Sequence, residues 1–252
     1  MDLGLKNKKV IVAGGSRGIG RAALEIFASE GADVAFFSRS GDQVAETRQA
    51  LKRFGGKVFG ERYDVDDIEA YKAFLSDLAD KLGGADVFVH NISSSGSGKT
   101  SDWTLTHKID VLGAVAAVEA LSPVMERGGG GSIVFMSSTA AVETFLSASA
   151  FNALKAALVT YGKQLSQVLG PKGIRVNCVS PGPTIFEGGN WDKIKAARPE
   201  LYEATKAKAV LGRLGSAEEI AKTVVFLASE AASYTTGVNV VVDGGYTKRV
   251  QL

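Results

Sequence analysis

Ser138, Phe151 and Lys155 stand 13 and then four residues apart, the pattern in which a serine, a tyrosine and a lysine carry out carbonyl reduction. That reaction needs a hydride from a nicotinamide, a donor bond to the carbonyl oxygen, and a proton as alkoxide forms. Ser138 can bond the oxygen and Lys155 the nicotinamide ribose, the lysine sharing a helical face with residue 151. A tyrosine at 151 would supply the proton, its pKa lowered by the nearby ammonium. Phenylalanine stands there instead, keeping the ring and donating nothing. Tyr161, ten residues further on, is nearly three helical turns away and does not substitute.

A second constellation follows the first predicted strand: Gly14-Gly15-Ser16-Arg17-Gly18-Ile19-Gly20, opening a helix near Ile19. Side chains at Gly14, Gly18 and Gly20 would block the turn, the approach of a diphosphate or the helix packing, and free N–H groups at the helix start hold the anion. At the end of the second strand the chain reads Ser38-Arg39-Ser40 rather than an acidic residue for a ribose 2′-hydroxyl. Arg39, with Arg17, can pair with a 2′-phosphate, which selects NADP(H) over NAD(H). Asp64-Val65 is placed to meet an adenine, and Asn91 to orient the ribose or the neighbouring loop. His90 beside it reads as structural.

Other chemistry is poorly supported. Ser138 is not in a Gly-x-Ser-x-Gly elbow, and neither His90 nor His107 is placed as its base, which disfavours a hydrolase. Lone Cys178, in an apolar run, excludes an internal disulfide and a Cys-based zinc cluster and reads as an inert core thiol.

These residues need a scaffold, and the chain supplies alternating short β-rich runs and longer amphipathic segments. Strands are predicted near Val10–Ala13, Asp33–Phe37, Lys57–Gly60, Asp86–His90, Ser132–Met136, Arg175–Val179 and Asn239–Val242. Helices are predicted near Ile19–Ser29, Asp42–Arg53, Asp67–Lys81, Asp102–Glu126, Phe151–Leu169 and Ala217–Ala228. Asp67 precedes one helix, and Ser216-Ala217-Glu218-Glu219 has capping-box form. The fold class is α/β, a doubly wound parallel seven-stranded sheet with helices on both faces. Gly128–Gly131 reads as a flexible turn. Residues 183–212 break the alternation over a weakly helical pattern and read as a substrate lid.

Length and composition bound the rest. A chain of 252 residues, 45% hydrophobic and 22% charged, fits one domain spanning 1–252. A net charge of +2 with no block of like charges speaks against a nucleic-acid surface. The start of the chain lacks a signal-type apolar core, and no stretch approaches the ~18 apolar residues of a membrane span. The expectation is a soluble, cytoplasmic protein with no metal and a small-molecule substrate.

The chain resembles the short-chain dehydrogenase/reductase family, in the single-domain, bacterial 3-oxoacyl-carrier-protein-reductase-like form, from Val10 to Tyr246. Besides the motifs above, the resemblance rests on Asn177-Cys178-Val179-Ser180-Pro181-Gly182, on Leu211–Ile220 and on Val242-Asp243-Gly244-Gly245. It implies a Rossmann-like fold, with Pro181, Gly182 and Thr184 beside the nicotinamide. It also implies a homotetramer built from the long helices and the C-terminal strand. Separately, Thr247–Leu252 is expected to reach a neighbouring subunit. The sequence departs from the family at Ala13, at His90-Asn91-Ile92-Ser93 and at Asp110, where an asparagine usually supports a water on the lysine. Asp110 could support the same water while raising the ammonium's pKa, or be merely a helix-distorting residue.

Phe151 is the departure that decides function. Because Ser138, Lys155, the glycine loop and the Pro-Gly turn survive, the reading is an NADP(H)-dependent ketone/alcohol oxidoreductase, disabled by Phe151 through divergence or deliberate substitution. The alternative is a non-catalytic NADP(H)-binding protein with a regulatory or interaction role. The pocket is expected between Ser138, residues 142–145, Ser93–Ser95 and the insertion. Phe145, Phe186, Trp191 and Tyr202 suit a bulky or aromatic carbonyl compound, or pack the lid. Trp103 reads as a core or interface residue.

Overall fold

The protein is described by a computed structural model covering residues 2–97, 99–144 and 148–250, with residues 96 and 97 described by backbone alone. Its strands are β1 Lys9–Ala13, β2 Asp33–Ser38, β3 Val58–Arg62, β4 Val87–His90, β5 Gly131–Met136, β6 Ile174–Pro181, β7 Thr184–Ile185, β8 Gly215–Ser216 and β9 Asn239–Val242. Its longer helices are α1 Gly18–Ser29, α2 Gly41–Leu51, α3 Ile68–Leu82, α4 Trp103–Thr106, α5 Gly113–Arg127, α6 Ala150–Leu169, α7 Asn190–Ala197, α8 Pro199–Lys208 and α9 Ala217–Ala228.

Seven strands form one sheet in the order β3-β2-β1-β4-β5-β6-β9, every pairing parallel. The pattern is dictated by burial: Val10 to Ala13 and Val87 to His90 are buried without alternation, as strands covered on both faces must be. One layer packs α3, α5 and α6 through Leu75, Leu121 and Leu158. The opposite layer packs α1 and α9 through Leu24, Phe27 and Val224. Strand order reverses between β1 and β4, so their carboxyl ends open a crevice for a ligand. Every predicted strand of the sheet is present within two residues of its expected bounds.

Helix starts follow the expected caps. The Asp67 carboxylate accepts from the Ala70 amide ahead of α3, and Ser216 and Glu219 form a reciprocal capping box on α9. The predicted single helix over 102–126 differs: α4 and α5 are joined by a π-helical segment, His107–Leu112. The wider turn carries Asp110 inward, where it is fully buried and its carbonyl accepts from His90 Nε2. Trp103 is not in the core of this chain, its side chain being 59% exposed.

The expected lid holds α7 and α8, and its ends are pinned together because β7 pairs with β8. Ser138 does not close β5, which ends at Met136. It caps the short turn Thr139–Ala141 by accepting from the Ala140 amide. The C-terminal segment returns to its own chain, the Lys248 amide donating to Glu143 and Arg249 to the Val142 carbonyl. Gln251 and Leu252 lie outside the described residues.

His90 ends β4 with no exposed surface. Burial, and then the charge of Lys155, lower its pKa to about 4. The unfolded chain therefore takes up this proton first, near the ordinary histidine value, and stability falls as pH drops from there toward 4. The contribution is on the order of 3 kcal/mol. In chemical denaturation across this window, His90→Asn should show a shallower decline than the unsubstituted chain.

Candidate active site

The crevice at the carboxyl ends of β1 and β4 is a cavity of about 250 Å³. Its first wall is the glycine loop. The Gly14 and Gly15 amides donate to the Phe37 carbonyl, and the Asn91 side chain donates to the Gly14 carbonyl at 2.8 Å. Asn91 thus holds the loop. Gly14 has φ +79°, open to glycine at little cost, and a Cβ on Gly20 would collide with the Gly14 carbonyl. Among the described residues no side chain caps α1, so its first amides remain to bind an anion. These features fit a dinucleotide diphosphate.

The second wall lies at the ends of β2 and β3. Ser16 Oγ donates to Ser38 Oγ at 2.7 Å, fixing the loop against β2. Arg39 is exposed on the rim and has no ion pair among the described residues, while Arg62 donates to its carbonyl. An uncompensated cation here fits a 2′-phosphate. Tyr63 stacks on Phe74 with ring centroids 4.0 Å apart and lines the cavity with Asp64 and Val65, an apolar face with a carboxylate rim suited to an adenine.

The third wall carries Lys155 and Phe151. Lys155 is 2% exposed; its ammonium donates to Asp110 Oδ1 at 2.9 Å and to the Met136 carbonyl at 2.7 Å. The Phe151 ring centroid lies 5.7 Å from the same nitrogen. Asp110 therefore touches the lysine directly, rather than only through a water as expected. Burial opposes its ionisation. The Lys155 charge, the Ser94 amide and bonds from Lys155 and Ser93 outweigh that and hold its carboxyl below the usual range. Burial raises the Cys178 thiol to about 12, in keeping with an inert residue.

The cavity brings together Gly14, Ser16, Arg17, Ile19, Ser38, Arg39, Asp64, Val65, Asn91, Phe151, Lys155 and Pro181. It does not place Ser138 on the wall; Ser137 lies there, its hydroxyl donating to the Lys155 carbonyl. Ser40 is set back as the N-cap of α2, and Thr184 donates to the Gly182 carbonyl behind Pro181. Gly18 and Gly20 shape the loop without lining the cavity, and a Cβ on Gly18 would meet the ring of Phe186. Of the expected lid aromatics, Phe186 lines the cavity, whereas Tyr202 lies under the Lys195 ammonium and, like Trp191, is absent from the wall. Phe145 lies outside the described residues. Sequence reasoning missed Tyr63, for which the adjoining Asp64 was a signal. It also missed the bond from Ser93 to Asp110, for which residue spacing gave none.

The chain matches the enoyl-(acyl carrier protein) reductase family description over residues 13–247. It is 38% identical over 246 residues to isoepoxydon dehydrogenase patN of Aspergillus clavatus, covering 96% of this chain and 95% of that protein. Among solved structures it is similar to L-sorbose reductase from Gluconobacter frateurii, complexed with NADPH and L-sorbose. The TM-score is 0.89 at 31% identity, over 99% of this chain and 100% of that one. It is also similar to an NADPH-bound short chain oxidoreductase from Pseudomonas aeruginosa PAO1 that contains an atypical catalytic center. There the TM-score is 0.85 at 30% identity, over 96% and 98% of the two chains. With this sheet order, this glycine loop and these relatives, the chain belongs to the short-chain dehydrogenase/reductase family.

Proposed function

We propose that the chain is an NADP(H)-dependent oxidoreductase interconverting a ketone and a secondary alcohol, slowed by Phe151 at the usual tyrosine position. The observation that carries this reading is the single cavity joining the glycine loop, Arg39 and the Lys155–Phe151 wall. The loop amides would hold the diphosphate, Arg39 and Arg17 the 2′-phosphate, and Asp64 with Tyr63 the adenine. When bound, the nicotinamide supplies or accepts the hydride. Lys155, already committed to Asp110 and a carbonyl, is fixed where the cofactor ribose would be met. The NADPH bound by the Gluconobacter and Pseudomonas proteins supports the cofactor choice.

The 3-oxoacyl-carrier-protein reductases remain a likeness of scaffold. For substrate we propose a compact carbonyl or alcohol compound against Phe186 and Ile92, as the small-molecule ligand of the sorbose reductase suggests. The exposed Trp103 of α4 and Val168 of α6 support a homotetramer joined through these helices. A non-catalytic NADP(H)-binding role is the second reading, favoured only by Phe151 itself.

Two substitutions test these readings. Phe151→Tyr restores a general acid and should raise kcat by about 100-fold, measured as NADPH consumption over aliphatic, cyclic and sugar ketones. No gain on any of them would favour the non-catalytic reading. Arg39→Ala removes the phosphate partner and should weaken NADPH binding by roughly 10- to 100-fold, with NADH binding little changed, both read by fluorescence titration.

A further inference from the structure

Phe151 cannot exchange a proton with substrate, yet the cavity contains a connected set of groups that can. Asp110, held ionised beside Lys155, is an acceptor only. Ser93 Oγ lies 2.8 Å from Asp110 Oδ1 and must donate its single proton there. Ser93 Oγ also accepts from the Ser95 amide at 3.2 Å and lies 3.1 Å from Ser95 Oγ. With the Ser93 proton already committed, Ser95 must be the donor in that last contact. Its own oxygen then has lone pairs left to accept a hydrogen bond. Ser93 and Ser95 both line the cavity that Lys155 and Phe151 line. The lid bears on the same loop, since Asn190 Nδ2 donates to the Ser95 carbonyl.

We propose that Ser95, Ser93 and Asp110 form a hydroxyl relay that takes the proton from a secondary alcohol while its hydride leaves to NADP⁺. This rests on the oxidoreductase reading and names the route that remains to a chain without the tyrosine. The alcohol carbon loses hydrogen with its electron pair and is oxidised; the nicotinamide is reduced. The O–H bond of the alcohol breaks, its electrons forming the carbonyl π bond, and its proton passes to Ser95 Oγ. Ser95 passes its own proton to Ser93, and Ser93 passes its proton to the Asp110 carboxylate. Each hydroxyl gains and loses one proton, and the net proton rests on Asp110, whose contact with Lys155 places it. Carbonyl reduction runs the same path in reverse.

The polarity of the chain of bonds carries the argument. A serine pair that merely braced the loop could point its protons either way. An anionic end forces both hydroxyls to donate inward and turns an acceptor toward the cavity, the orientation that an alcohol O–H requires. The sequence departs from the family pattern at two members of this path, at Ser93 and at Asp110, as well as at Phe151.

The test is NADP⁺ reduction by a panel of cyclic, aliphatic and sugar alcohols headed by cyclohexanol and sorbitol. It is run on the full chain and on Ser93→Ala, Ser95→Ala and Ser93→Thr, each also combined with Phe151→Tyr. Either alanine should lower kcat by about 100-fold, and threonine, which keeps the hydroxyl, should restore most of it. Once the tyrosine is present the alanine penalty should shrink to roughly threefold or less, since the proton then has its own acceptor. Equal penalties in both backgrounds would mean a structural role and overturn the relay, as would full activity in either alanine variant. Turnover found only with Phe151→Tyr overturns the relay and keeps the oxidoreductase reading; no turnover in any form overturns both. A readout without cofactor is the infrared carboxylate band of Asp110, identified by its loss in Asp110→Asn. Ser93→Ala should shift it, and an unshifted band would remove the last link of the path and overturn the relay.

Discussion

The ion pair between Lys155 and Asp110 organises this molecule's chemistry, because two opposite charges with almost no access to water must be satisfied inside the protein. Isolating either one would cost several kcal/mol. The fold meets that demand with three elements at once. The π-helical segment between α4 and α5 turns Asp110 inward, α6 delivers Lys155, and β5 offers the Met136 carbonyl as a second acceptor. The Ser94 amide and the Ser93 hydroxyl complete the shell around the carboxylate. The positions of β4, the following loop and the long helix are therefore coupled through one buried contact. His90 is kept neutral beside it for the same reason.

Seen from this pair, the cavity divides into two functions. Its far part is generic: glycines that admit a diphosphate, the rim residue Arg39 with no ion pair among the described residues, and an aromatic and carboxylate face for a base. Its near part is particular to this chain. Phe151, Asp110 and Ser93 are all positions where the sequence departs from the pattern it otherwise resembles. Taken singly each looks like a loss or an accident. Taken together they form a continuous polar path walled by an aromatic ring, which a single decayed position would not create.

Much of the architecture was legible from pattern alone. Continuous apolar runs read as buried parallel strands because both faces of the sheet are covered, and the caps at Asp67 and Ser216 act through local hydrogen bonds that a few residues specify. The glycine loop was legible for the same reason: its requirements are local. What escaped depends on distant partners. The π-helical segment brings Asp110 to its cation, and in residues 107–112 only the reading of Asp110 as a helix-distorting residue hinted at it. Ser138 read as a donor to the carbonyl oxygen, whereas its hydroxyl caps the short turn at Thr139–Ala141 by accepting from the Ala140 amide. Trp103 read as a core or interface residue, and its exposure removes the core half of that reading for this chain.

The most direct measurement is a double-mutant cycle on the buried pair, by denaturant unfolding of Asp110→Asn, Lys155→Met and the two combined. Each single change should cost roughly 3–5 kcal/mol by stranding a buried partner, and the combination should cost clearly less than their sum. Small, additive losses would contradict the account, since they would mean that neither charge depends on the other and that the polar path beside Phe151 has no fixed anchor.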